Sequence, residues 1–221
     1  MSITRKLFPL VLVDIALFSV DQRGLRVLLV RRAEEPEKGR WGLPGGILKP
    51  DLDASLQDAA LRVLREKVAV EIPHLEEVRT FSGPDRDARG WSVSVLFYAL
   101  LPRSQIEVAG KKKVEAMDWA DAVRPGQELA FDHAEQLGCA LASLRDKVER
   151  HALPLHLMPE KFTLTDLQRT CEAILGWELD KSVFRRRLKG SEDLVELGEF
   201  ERGAKRPAQL WKAKEGFEFG V

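Results

Sequence analysis

The sequence predicts an α/β chain in two parts: an N-terminal sandwich over residues 1–153 and a C-terminal winged helix-turn-helix over residues 154–221. Three observations predict it. Two β-rich apolar runs precede a helix with clear apolar periodicity, and further strands and a second helix follow, as in an α/β domain. The segment LPLHLMPEK, with Pro154 and Pro159, then breaks the pattern and marks the domain boundary. Beyond it, two short capped helices precede a pair of strands.

Residues 10–20 and 25–30 are the first two strands, with a turn around Gly24 in VDQRG. RRAEEPEKGR is a polar loop leading into WGLPGG. Leu56, Ala59, Ala60, Val63, Leu64 and Val68 then recur at helical spacing, which puts one apolar face on a helix. Strands resume at EEVRTFSG and WSVSVLFYALL, with the loop PDRDARG between them, and EAMDWADA is a short strand and turn. Residues 132–153 read as a long helix. In the second part Thr163 caps a helix with Asp166 three residues on, Phe162 and Leu167 form a hydrophobic staple, and Gly176 closes the helix. LDKSVFRRRLKG repeats the design: Asp180 caps, Leu179 and Phe184 staple, and Gly190 terminates. Its core side is expected to hold Val183, Phe184 and Leu188. LVELGEFERGAKRPAQLWKA is a β-hairpin.

A chain of 221 residues, 44% hydrophobic and 32% charged, has the composition of a globular protein with a sizeable core. No apolar run approaches the roughly 20 residues that span a bilayer. Asp14 interrupts the N-terminal apolar stretch and no small-residue cleavage site follows it, so it reads as a strand, not a signal peptide. Cys139 and Cys171 are too few for a disulfide framework, and neither they nor the four histidines have metal-ligand spacing; a cytoplasmic location is expected. The 35 basic and 35 acidic residues cancel, but they are segregated near the end of the chain. Residues 181–189 carry five basic and no acidic side chains, 192–201 five acidic and no basic, and 202–214 five basic and no acidic.

The helix after WGLPGG raises the central question. Positions i, i+3 and i+4 share a helix face, and three carboxylates there can converge on a divalent cation. Here those positions hold Val63, Glu66 and Lys67. The stretch resembles the Nudix hydrolases, whose box runs Gly, five residues, Glu, seven residues, then Arg-Glu-apolar-x-Glu-Glu-x-Gly-apolar. Arg62, Leu64, Glu66 and Val70 match; Val63, Lys67 and Ala69 do not, and Asp51 or Asp53 is nearest to the loop glutamate. The resemblance implies an α/β/α sandwich with a mixed sheet and a Mg²⁺ site. With valine and lysine in place of two ligands, no metal-dependent hydrolysis and no required cofactor are expected. Lys67 itself can stand in for the cation and hold a pyrophosphate beside Gly45 and Gly46.

Arg86, Arg89 and Trp91, grouped in PDRDARGW, suit a phosphate-and-ribose clamp. Asp132 and His133 open the long helix, where they either meet a ligand or, for Asp132, cap the helix. With Trp41, Gly45, Gly46, Arg62, Glu66 and Lys67, these residues are the candidate effector site. In the second part a basic helix followed by a basic hairpin suits duplex DNA, one in the major groove and one as a wing. The candidate DNA contacts are Thr163, Lys181, Ser182, Arg185, Arg186 and Lys189, with Arg202, Lys205 and Arg206 at the hairpin tip.

The degenerate box, RDARGWSVSV, LAFDH and the FTLTDLQ…LDKSVFRRRL…RPAQLWK tail together resemble the NrtR family of Nudix-related transcriptional regulators of NAD metabolism. The resemblance implies a homodimeric repressor of NAD synthesis or salvage genes that binds operator DNA and senses ADP-ribose or a related nucleotide. In relatives the ligand releases the protein from DNA. Three alternatives stay open: an ADP-ribose pyrophosphatase with an accessory DNA-binding domain, a sugar-responsive regulator of the same architecture, and a nucleic-acid binder whose Nudix domain only dimerises.

Overall fold

Strand β1 (Leu10–Asp21) is apolar on both faces because both are covered. Val13, Ile15 and Leu17 face helix α1 (Leu56–Lys67), where they meet Ala59, Ala60, Val63 and Leu64. Ala16 and Phe18 face the other way, into the core that includes Leu137, Ala140, Leu141 and Leu144 of helix α2 (His133–Glu149). This is the α/β/α sandwich. The computed structural model describes residues 8–69, 72, 74–102, 105, 116–150, 152–201 and 207–219.

Around β1 the sheet is mixed. Strands β2 (Gly24–Arg31), β3 (Trp41–Gly42), β5 (Leu75–Gly83) and β6 (Ser92–Leu100) give the order β3-β2-β1-β6-β5. Strand β4 (Gly45–Ile47) pairs with β1, and β7 (Met117–Asp121) with β2. Among the strands of the described residues only the β1–β6 pair is parallel, in a register that sets Leu12 opposite Ser94 and Asp14 opposite Leu96. Helix α2 ends at Glu149, four residues short of the expected end, with Arg150 as its C-cap.

The second part has a three-stranded sheet in the order β8-β10-β9, formed by β8 (Phe162–Thr163), β9 (Leu194–Phe200) and β10 (Gln209–Ala213). Helices α3 (Leu164–Leu175) and α4 (Lys181–Leu188) pack beside it. Thr163 and Asp166 form the expected capping box, and Gly176 closes α3 with φ 87°. The chain between the two parts is not a solvated linker. Leu153, Leu155, Leu157 and Met158 are buried, and one hydrophobic cluster runs from Phe18 and Leu144 through them to Leu167, Ile174 and Phe184. Polar contacts cross as well. Arg145 Nε donates to the Ile174 carbonyl (2.8 Å), and Arg187 Nη2 reaches the carbonyls of Val148 and Ala152 (both 3.4 Å) at the end of α2.

The residues after β10 return to the sandwich. Phe219 is buried edge-on against His74 (5.4 Å) of the sandwich, which stacks on His156 (5.1 Å) of the second part; Phe217 leans on His156 from its own part. Burial, then the neighbouring His74, pushes the His156 ring down to about 4. An unfolded chain would protonate this ring below about pH 6.5. Its stabilising effect is therefore complete above that value and lost as pH falls from 6.5 towards 4. Partial exposure reduces the effect to about 1 kcal/mol. Between pH 7 and 4.5 the melting temperature of His156→Gln should fall about 2–4 °C less than that of the native chain. Parallel melting curves across this range would show the ring to be uninvolved.

Candidate functional site

Beside α1, between β2, β4 and the loop before β6, lies a cleft of about 820 Å³, within the usual size for a small-molecule site. Of the predicted effector residues, Gly45, Gly46, Arg62, Glu66, Lys67, Arg86, Arg89 and His133 line it. Asp132 lies behind that surface, bonded to Arg86. Trp41 and Trp91 do not line it. Trp41 is the edge residue of β3, half-buried against the α2-side core, and Trp91 is about half exposed at the start of β6. A second cleft of about 890 Å³ at the far ends of β2 and β7 contains none of the predicted residues. Its three arginines, Arg23, Arg26 and Arg124, are balanced by Asp21, Asp118 and Asp121.

The site is built on the α1 face. Val63 is buried in the core between α1 and the sheet. Lys67 projects into the cleft, and its ammonium donates to the carbonyl oxygen of Gly45. Burial lowers its pKa, while Asp14 acts in the opposite direction. The ammonium is thus a fixed positive charge on an oxygen of the kind a hard cation would take. Glu66, the remaining carboxylate of the face, lies between Lys49 Nζ (3.5 Å) and Arg62 Nη1 (3.6 Å). Among the described residues no group of three His, Cys, Asp or Glu side chains could hold a metal ion. The Mg²⁺ implied by the Nudix resemblance does not fit this donor set: one ligand position is apolar and another carries a cation.

Arg62 serves the scaffold more than the cleft. Its guanidinium forks onto Asp53 (both bonds 2.7 Å) and also donates to the Ile47 carbonyl (3.0 Å), tying the loop before α1 to the helix. The hydrogen bond from Arg62 holds the Asp53 carboxyl at about 2. The two glycines after Pro44 permit close approach, though to protein and not to a ligand. A Cβ on Gly45 would lie 2.0 Å from Asp14 Oδ1 and 2.9 Å from the Val13 carbonyl, and one on Gly46 would lie 2.7 Å from Val63 Cγ2. The Val13 carbonyl belongs to the sheet and cannot retreat. Gly45→Ala should therefore cost about 1–3 kcal/mol, the usual penalty for overpacking. A thermal melt checks this, and an unchanged melting temperature would show that the turn yields freely.

Behind the cleft lies a buried polar network. Asp14 accepts hydrogen bonds from Ser94 Oγ (2.5 Å) and Gln136 Nε2 (3.1 Å), with Arg86 Nη2 at 3.9 Å. His133 Nδ1 accepts the Leu43 N–H (2.9 Å), which leaves its proton on Nε2, 3.5 Å from Asp14 Oδ1. Burial lowers the His133 pKa, so the ring is neutral. Arg86 forks onto Asp132 (2.9 and 2.8 Å) and donates to Ser92 Oγ (3.2 Å). Asp132 makes no capping bond to α2; its carboxylate is committed to Arg86 and Gln136. Arg89 forks onto the buried Asp87, Nε to Oδ1 (3.0 Å) and Nη2 to Oδ2 (2.6 Å). Phe131, in the left-handed region at φ 52°, lines the cleft with the Arg32 guanidinium 4.6 Å over its ring.

The second site is the outer face of α4. Lys181, Ser182, Arg186 and Lys189 are exposed, as expected. Val183 is also exposed, at 53%, contrary to its predicted place in the core, which only Phe184 and Leu188 reach. Arg185 is half-buried and donates to Thr165 Oγ1 (3.1 Å) on α3, so its fork is held against the protein. Thr163 is 5% exposed and spent on the α3 cap, which removes it from the DNA-facing set. Arg202, Lys205 and Arg206 lie outside the described residues.

Comparison with known proteins follows the same division. The NUDIX domain pattern matches residues 10–139, and that of the NrtR DNA-binding winged helix domain matches residues 154–213. The chain is 41% identical over 214 residues to the ADPR responsive transcriptional repressor NtrR of Acinetobacter baylyi, covering 96% of this chain and 85% of that one. The crystal structure of Shewanella oneidensis NrtR complexed with a 27mer DNA superposes with a TM-score of 0.81 at 35% identity, over 92% of this chain and 93% of that one. The NUDIX domain of the same protein complexed with ADP ribose superposes with a TM-score of 0.58 at 36% identity, over 65% of this chain and 94% of that one. A Nudix sandwich fused to this winged helix, alike over nearly the whole length, establishes that the chain belongs to the NrtR family.

Proposed function

We propose that this protein is a transcriptional repressor of genes for NAD synthesis or salvage. It binds operator DNA through the winged helix and binds ADP-ribose, without hydrolysing it, in the Nudix cleft. The observation that carries this reading is the Lys67 ammonium on the Gly45 carbonyl. A hydrolase in this fold needs a divalent ion to neutralise the pyrophosphate and activate water. A lysine supplies the first of these and not the second, so the ligand is held and not consumed. The relatives reported as ADPR responsive, DNA-bound and ADP ribose-bound support the same assignment.

Regulation requires ADP-ribose to favour one of two states that differ in affinity for DNA. Helix α2 is suited to link them. Its first residues, His133 and Gln136, belong to the network behind the cleft, and its last turn accepts Arg187 of α4. Ligand in the cleft biases the Arg86–Asp132 end of this rod and so the seating of α4. The working unit is a homodimer on a two-fold operator.

Mobility shift of the gene's own upstream region, in EDTA, tests the reading. ADP-ribose should weaken the complex about 5- to 150-fold, the usual span of allosteric coupling. With Mg²⁺ present, ADP-ribose should survive incubation. Turnover at about 1 s⁻¹ or faster, an ordinary enzymatic rate, would mean that the cleft is an active site.

A further inference from the structure

We propose that Val183 reads a thymine methyl group in the major groove, next to a guanine read by Arg186. The inference rests on the DNA-binding reading of α4 and adds to it the identity of one base and its reader.

In a helix each residue turns about 100° from the last. Phe184 and Leu188, the two buried residues of α4, define its inward direction. Arg186 then projects almost opposite to them. Ser182 and Lys189 flank Arg186 on one side and Val183 on the other. All four are exposed, and Val183 is the only one that is apolar.

An exposed valine by itself means little. This one has three further properties. It occupies the third position of α4, with its own N–H bonded to the Asp180 cap (2.8 Å), and the N-terminal residues of recognition helices are those that meet base edges. Its branched side chain is rigid in a helix, so its two methyl groups are presented in one orientation. It also stands one turn from an arginine, about 4.5 Å along the axis, whereas successive bases are about 3.4 Å apart.

The C5-methyl of thymine is the apolar feature of the major-groove edge, and the guanine O6/N7 pair is the acceptor set that an arginine fork matches. Valine beside arginine therefore fits a thymine within one or two base pairs of a guanine in each half-site. No lysine or serine at position 183 could make that discrimination.

The test uses the full chain. Duplexes with about 20 random base pairs are selected by mobility shift, and each thymine of the enriched sequence is then replaced by uracil, which lacks only the methyl group. One thymine per half-site should respond, with uracil weakening native binding about fourfold, the worth of one buried methyl-sized group. Val183→Ala should bind the thymine and uracil duplexes alike at that position and keep its preference elsewhere. Arg186→Ala should lose its guanine preference within two base pairs of the same thymine. An enriched sequence in which uracil acts equally on the native protein and Val183→Ala, or not at all, overturns the inference and leaves DNA binding intact. Failure to enrich any sequence overturns both.

Discussion

Lys67→Gln is expected to lower affinity for ADP-ribose about 10- to 150-fold, by the same factor in EDTA and in Mg²⁺. A hydrogen bond from a charged group contributes about 1.5–3 kcal/mol, and in the proposed complex this partly buried ammonium would meet the pyrophosphate with less of its hydration left to lose. Glutamine keeps the length and the polarity and loses the charge, so the loss measures the charge. The pH dependence has a definite sign. Burial lowers the Lys67 pKa, and only the protonated form opposes the phosphates. Binding should therefore weaken as pH rises, beginning below the range where an ordinary lysine titrates, and Lys67→Gln should lose that slope. Calorimetric titration reads both effects. Equal affinity in the two proteins would remove the built-in cation from the account.

Restoring the hydrolase pattern is not a simple reversal of this change. Lys67→Glu returns one carboxylate to the face that holds Glu66, but Val63 is packed into the core beneath the cleft. Val63 is 1% exposed and packs with Ala59, Ala60 and Ile15. A glutamate there would have to leave this apolar packing for the cleft that Val63 also borders, forfeiting about 1.5–3 kcal/mol of buried apolar surface.

What could be read from the sequence, and what could not, follows from how many residues carry each signal. β1 and β6 were legible because both of their faces are covered, which makes them long apolar runs. The strands of two or three residues at 41–42, 45–47 and 162–163 have no periodicity to read. Asp14 looked like an interruption of an apolar strand. Its partners Ser94, Gln136, His133 and Arg86 come from three distant segments, joined only by the parallel β1–β6 register and the packing of α2. RRAEEPEKGR reads as a polar loop, yet Arg31, at the end of β2, and Arg32, Glu34 and Glu35 after it line the cleft, and nothing local distinguishes a loop that borders a cavity from one that does not. On α4 the sequence offers three apolar residues for the inward side, and only the structure shows that Phe184 and Leu188 take it, which turns Val183, about 100° from Phe184, outward. Charge alone likewise does not separate the outward Arg186 from Arg185, whose guanidinium is held on Thr165 of α3.

Arg86→Ala is expected to have the largest effect on stability. The guanidinium is 8% exposed and serves Asp132, Ser92 and, at longer range, Asp14. Removing it leaves carboxylates from β1 and from the start of α2 without their countercharge. Breaking a buried pair in this way costs about 3–5 kcal/mol. In a chain of this size that lowers the melting temperature by roughly 10 °C. Arg86→Lys should recover part of the loss, because it restores the charge but not the fork that meets both oxygens of Asp132. Arg86→Lys also separates stability from signalling. If ligand acts on DNA through the Arg86–Asp132 end of α2, this variant should keep operator affinity while ADP-ribose releases it less effectively, by a factor within the usual 5- to 150-fold span of coupling. A variant that melts early yet responds to ADP-ribose as fully as the native protein would confine Arg86 to the scaffold and require another route from cleft to α4.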